Sequence, residues 1–113
     1  MRYYHNPRCS KSRQALQLLR ERGIEPELVA YLDTPPDAGA LRQLLGKLGM
    51  RPRQLLRSGE DAYKAQGLDN PALDDEALIA AMLATPILIE RPIFENGDRA
   101  IVGRPPERVL EIL

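Results

Sequence analysis

Cys9 and His5, the only cysteine and the only histidine of the chain, lie close together in the stretch YYHNPRCSKSR. The thiolate, not the thiol, is the nucleophile, so a cysteine does chemistry at neutral pH where its surroundings favour ionisation. Residues 12–22 read as a helix, with Ala15, Leu16, Leu18 and Leu19 on its apolar face and Gly23 placed to end it. Cys9 therefore falls in the turn before a helix N-terminus, where unpaired backbone N–H groups and the positive end of the helix dipole stabilise negative charge. Arg8, Lys11 and Arg13 add positive charge beside it. Such positions lower a thiol pKa from about 8.5 to about 3.5–7.5, and the same N–H groups can cradle an oxyanion. The residues alone leave blander readings open. A lone cysteine can be a small buried hydrophobe, His5 a hydrogen-bonded structural histidine, and Ser12 a helix N-cap.

Spacing removes two familiar chemistries. A Cys-x5-Arg phosphate cradle needs arginine where the chain has Ala15, and a Cys-x-x-Cys dithiol needs cysteine where it has Ser12. No second protein thiol can resolve a species formed on Cys9, so any redox cycle needs a thiol from another molecule. One cysteine and one histidine do not supply the four ligands of a structural zinc site.

The elements that position Cys9 follow from pattern. Residues 2–5, with Tyr3 and Tyr4, read as a strand, and residues 27–31 (ELVAY) as a second. The chain thus opens β-α-β. The middle is helical: Leu41, Leu44, Leu45 and Leu48 recur at helical spacing before Gly49, and Pro52 opens a short turn through Leu56. Residues 60–66 form a further short helix before Gly67. Asp74, Asp75 and Glu76 precede a helix whose stripe is Leu78, Ile79, Met82 and Leu83. Residues 92–95 and 99–102 read as a hairpin around Asn96-Gly97, a dipeptide suited to a type I′ turn. A last helix follows, with Pro106 in its first turn and Val109, Leu110 and Leu113 inward. The order β-α-β, helical block, β-β-α suits one α/β sheet with helices on its faces.

Bulk composition sets the class. A chain of 113 residues with 43% hydrophobic content suits one domain with a core. Its 16 basic and 16 acidic residues cancel, which argues against a nucleic-acid partner. No apolar run approaches the roughly 20 residues of a membrane span, and the N-terminus enters structure without a signal-peptide pattern. A cytoplasmic location is the resulting expectation, and a lone cysteine suits a reducing compartment.

YHNPRCSKSR also resembles the His-Asn-Pro-x-Cys-x-x-Ser-Arg signature of the glutaredoxin-coupled arsenate reductases. The resemblance continues through YLDTPP, LLR, GL near residue 67, PILIERPI and GRPPERVLEIL, and so covers essentially the whole chain. It implies a thioredoxin-like fold with a central helical insertion at about residues 36–84, in a single domain spanning 1–113. It implies that Cys9 is the nucleophile that attacks arsenate, with His5 and Ser12 supporting its thiolate. Arg57 in LLRS, Arg91 in IERPI and Arg104 in VGRPP match the arginines that bind and polarise the oxyanion, a task suited to the planar guanidinium fork. Pro92 matches the cis-proline that packs beside the active cysteine. Glutathione would be the co-substrate and glutaredoxin the resolving partner of a monomer, with no metal and no tightly bound cofactor. Arg8 and Lys11 occupy variable positions suited to tuning substrate choice, and some members carry a tail beyond the position of Leu113. Two alternatives share the fold: a glutathione-linked thiol oxidoreductase with another substrate, and a Spx-like regulator that binds RNA polymerase, whose usual redox switch needs a second cysteine.

Overall fold

The first strand, β1 (Arg2–Tyr4), pairs on both sides. It runs parallel to β2 (Glu27–Val29) and antiparallel to β3 (Ile93–Asn96), which pairs antiparallel with β4 (Arg99–Val102), giving the order β2-β1-β3-β4. Parallel neighbours need a long crossover, supplied here by helix α1 (Ser10–Glu21). The computed structural model describes all 113 residues. They divide into two compact units, Met1–Thr34 with Arg91–Leu113, and Pro35–Glu90. The insertion anticipated at 36–84 lies inside the second unit.

In the first unit, Tyr3 stands opposite Phe94, and Phe94 opposite Ile101, so the three share one face of the sheet. Ala15, Leu16 and Leu19 of α1 pack on that row, together with Val109 and Ile112 of a C-terminal 3₁₀ segment (Pro106–Ile112). The end of α1 is fixed by a Schellman motif. Gly23, at φ 76°, donates to the Arg20 carbonyl, and Ile24 donates to that of Leu19 while packing on the core.

Four local expectations are corrected. Helix α1 begins at Ser10, not residue 12, and its N-cap is Cys9, whose carbonyl accepts the Arg13 N–H at 3.1 Å. Its first turn carries no apolar repeat to mark the start. β2 stops at Val29 because Ala30 and Tyr31 enter a turn in which Tyr31 donates to the Val29 carbonyl and Thr34 to that of Ala30. The hairpin pairs Asn96 with Arg99, so the central turn residues are Gly97 and Asp98. Only Gly97 has positive φ (63°), the type II′ pattern rather than I′. The last element is 3₁₀ rather than α. Residues three apart eclipse in a 3₁₀ helix, so Pro106, Val109 and Ile112 face inward, Leu110 is half-buried, and Leu113 is 45% exposed.

The second unit holds α2 (Ala38–Leu48), α3 (Pro52–Leu55), α4 (Asp61–Ala65) and α5 (Asp75–Ala84). Asp37 and Asp74 cap α2 and α5 by accepting the Ala40 and Ala77 N–H groups, each at 2.8 Å. Leu41, Leu44 and Leu45 of α2 and Leu78, Ile79 and Met82 of α5 are buried, and an Arg42–Glu76 ion pair joins the two helices. Leu56 bridges Ile89 in an antiparallel contact.

Gly103, the first residue after β4, is packed where no side chain fits. A Cβ there would meet Pro92 Cγ at 2.9 Å, Val109 Cγ1 at 3.0 Å and the Ala15 Cβ at 3.4 Å. Gly103→Ala should therefore destabilise the fold by about 1–3 kcal/mol through overpacking. A urea midpoint equal to that of the unmodified protein would contradict this packing.

Candidate active site

The loop carrying Cys9 is tied down by backbone and buried polar groups. His5 N–H donates to the Val29 carbonyl at 3.0 Å, which anchors the loop to β2. Cys9 N–H donates to the Asn6 carbonyl at 3.0 Å, and Asn6 Oδ1 accepts the Arg8 N–H at 3.0 Å. Arg13 Nη1 donates to the Pro7 carbonyl at 2.8 Å. Ser12, fully buried, gathers the rest. Its Oγ accepts the Asn6 N–H at 3.1 Å and lies 2.7 Å from His5 Nδ1, while its carbonyl accepts the Tyr3 hydroxyl. Ser12 is thus a third-position helix residue that locks the loop from inside, not the N-cap. Sequence reasoning passed over Tyr3 and Asn6 in this role. A polar Asn6 inside the cysteine loop was the available signal.

Cys9 is a free thiol, 8% exposed. Burial alone would push its pKa up. The Ser12 backbone N–H, the Arg91 guanidinium and the Lys11 backbone N–H outweigh burial, and the net shift is downward. Arg104 Nη2 donates to the sulfur at 3.5 Å, and its Nε donates to the Arg91 carbonyl at 2.7 Å, which fixes the guanidinium. The downward shift therefore comes from backbone amides and from Arg91, far along the chain, while Arg104 adds a guanidinium contact to the sulfur. The side chains of Arg8, Lys11 and Arg13, which the sequence placed in this role, are not among the causes of the shift.

His5 touches Ser12 and the Tyr3 ring, whose centroid is 5.5 Å from its own. Burial lowers its pKa, as do the nearby charges of Arg20 and Arg13, which favours the neutral imidazole. Its side-chain hydrogen bond goes to Ser12 and not to Cys9. The Arg91–Pro92 peptide is cis as expected, and so is Arg104–Pro105, which the sequence reading missed. Arg57 belongs to the second unit, where its side chain is 21% exposed between Glu60 (3.3 Å) and Glu90 (3.5 Å). No group of three or more His, Cys, Asp or Glu residues is arranged to hold a metal.

This arrangement, a near-buried thiol of lowered pKa beside backbone amides and guanidinium groups, suits nucleophilic attack on an anion. The model of the ArsC family matches residues 4–112. The chain belongs to the ArsC family. It is 55% identical over 114 aligned positions to the uncharacterized protein YfgD of Escherichia coli (strain K12), covering all of this chain and 96% of that one. It is 51% identical to an arsenate reductase of Neisseria meningitidis (strain MC58), again over its full length and 97% of the relative. The solved arsenate reductase from Vibrio cholerae superposes with a TM-score of 0.97 at 47% identity, covering 100% of this chain and 98% of that one. The fold is therefore the thioredoxin-like α/β fold of this family. No helix is long and apolar enough to cross a membrane.

The thiolate environment can be read directly. The pH midpoint of iodoacetamide alkylation should lie below about 8.5, the ordinary thiol value. Arg91→Gln should raise it more than Lys11→Gln, which keeps its backbone N–H. Linkage carries the same sign. A depressed folded-state pKa adds stability that is complete above the unfolded thiol pKa and is lost as pH falls through the folded one. A midpoint at or above the ordinary value would contradict the assignment of an activated thiol.

Proposed function

We propose that the chain is an arsenate reductase that takes its electrons from glutathione, with glutaredoxin as the resolving partner. The observation that carries this reading is the Cys9 sulfur held between helix-start amides and the guanidinium groups of Arg91 and Arg104. Arsenate is a tetrahedral oxyanion, and an anionic nucleophile meets it only where its charge is neutralised. Cys9 thiolate attacks the arsenic and an oxygen leaves as water, giving a Cys–S–arsenate adduct. Glutathione then attacks the arsenic, and glutaredoxin resolves the mixed species. Over the cycle, arsenic gains two electrons and is released as arsenite, while two external thiols are coupled as a disulfide. The single cysteine supports this use of outside thiols, since the chain has no second thiol to close the cycle.

In this reading Arg91 and Arg104 bind and polarise the oxyanion. Arg57 is proposed as the third arginine of the set, with Glu60 and Glu90 as the carboxylates that hold its charge between turnovers. Pro92, whose peptide bond is cis, is proposed to pack beside the thiol.

The test is arsenite release with glutathione and glutaredoxin. Cys9→Ser should abolish it while leaving the fold intact, because a serine hydroxyl is far less acidic than a thiol. Arg91→Lys and Arg104→Lys should each lower kcat/KM by about 10- to 100-fold, the scale of losing a charge-assisted hydrogen bond that a point charge does not reproduce. Arsenite production by purified Cys9→Ser protein would refute the mechanism. Thiol exchange at Cys9 without arsenate turnover would instead assign the site to a glutathione-linked oxidoreductase with another substrate.

A further inference from the structure

A cleft of about 320 Å³ opens beside the nucleophile loop, walled by residues 5–8 on one side and by Ala30, Leu32 and Asp33 on the other. It lies beyond the carboxyl ends of the parallel strands β1 and β2, the end of an α/β sheet where ligands characteristically bind. Three of its lining groups have no task in the chemistry described above. Arg8 and Asp33 carry opposite charges, are exposed, and make no ion pair within the chain. Asn6 is only 4% exposed, yet its amide nitrogen donates to nothing in the chain, because Oδ1 is the end that accepts the Arg8 N–H.

A cation, an anion and an unpartnered amide donor around one cleft select a ligand with the complementary set. A second oxyanion is disfavoured by Asp33, and an apolar ligand would leave all three groups unsatisfied. A zwitterion carrying both ammonium and carboxylate satisfies them together. We infer that this cleft seats the α-amino-carboxylate end of the thiol co-substrate, with Arg8 and Asn6 Nδ2 taking the carboxylate and Asp33 the ammonium. The thiol end then lies toward Cys9, which follows directly on the same loop. The inference rests on the reading that outside thiols serve Cys9, and it adds the groups that choose among them.

Thiol–disulfide exchange tests it without arsenate. Cys9 thiolate attacks one sulfur of a disulfide RSSR, the S–S bond breaks, Cys9–S–SR forms, and RS⁻ leaves with the electron pair, so no other oxidant or reductant is needed. Second-order rates are measured with oxidised glutathione, cystine and the uncharged bis(2-hydroxyethyl) disulfide. The ratio of each zwitterionic disulfide to the uncharged one, taken within one variant, cancels changes in thiol reactivity. In the unmodified protein a zwitterionic disulfide should be preferred, and Arg8→Gln and Asp33→Asn should each cut that preference by about two- to fivefold, the upper range for exposed charges. A preference for oxidised glutathione assigns the cleft to the peptide thiol, and one for cystine alone assigns it to free cysteine. Ratios that do not change in either variant overturn the inference. A charge-dependent preference in a protein that releases no arsenite would leave the cleft standing and refute only the arsenate reading.

Discussion

The buried Ser12 is the group on which the site geometry depends. Its hydroxyl holds the Asn6 N–H and the His5 ring, its carbonyl takes the Tyr3 hydroxyl, and its own N–H faces the Cys9 sulfur. One residue thus couples the central strand, the loop and the first turn of α1. In a low-dielectric interior each of these bonds matters more than in water, and each unmade one would cost more. Because Ser12 fixes loop and helix to each other, the amides that stabilise the thiolate are held in place before any anion arrives. Preorganisation of this kind stabilises charge without reorganisation at the moment of reaction.

The chain carries no net charge, yet its thiol sits in a positive field. Arg91 and Arg104 flank the cis prolines Pro92 and Pro105, on the segments before β3 and after β4. The sheet order brings both segments into the unit that holds Cys9. Local function therefore comes from topology rather than from composition. The basic residues adjacent in sequence do other work: Arg13 braces the loop through the Pro7 carbonyl, and Arg8 lines the cleft.

The strand, helix and hairpin order was legible because it rests on apolar periodicity and on glycine and proline signals, which are local properties. Gly23, Gly49, Gly67 and Gly97 all adopt positive φ, and all were read as punctuation. The start of α1 was not legible, since Ser10, Lys11 and Ser12 carry no apolar repeat. The inward face of the C-terminal segment was misassigned because a period of three and one of 3.6 differ little over seven residues. Within the site, Cys9 was legible from its position before a helix. Arg91 and Arg104 stood out only through resemblance, because nothing local tells an arginine near a thiol from one in solvent. The knot around Ser12 depends on a burial that no short stretch encodes.

The register of β1 with β3 carries a consequence for how the molecule is made. Arg2 pairs with Glu95 and Tyr4 with Ile93, so the central strand is completed by residues from the far end of the chain. Pairings this distant in sequence are slow to close and raise contact order. On a ribosome, β1 and α1 emerge first but lack their antiparallel neighbour and the 3₁₀ segment that covers the core until synthesis is nearly complete. The stretch Pro35–Glu90, contiguous in sequence, has no such delay. Arg91 and Arg104 arrive with the late segments, so the nascent chain carries its cysteine with the loop and helix amides but without either guanidinium. The site gains its positive side chains only as synthesis ends.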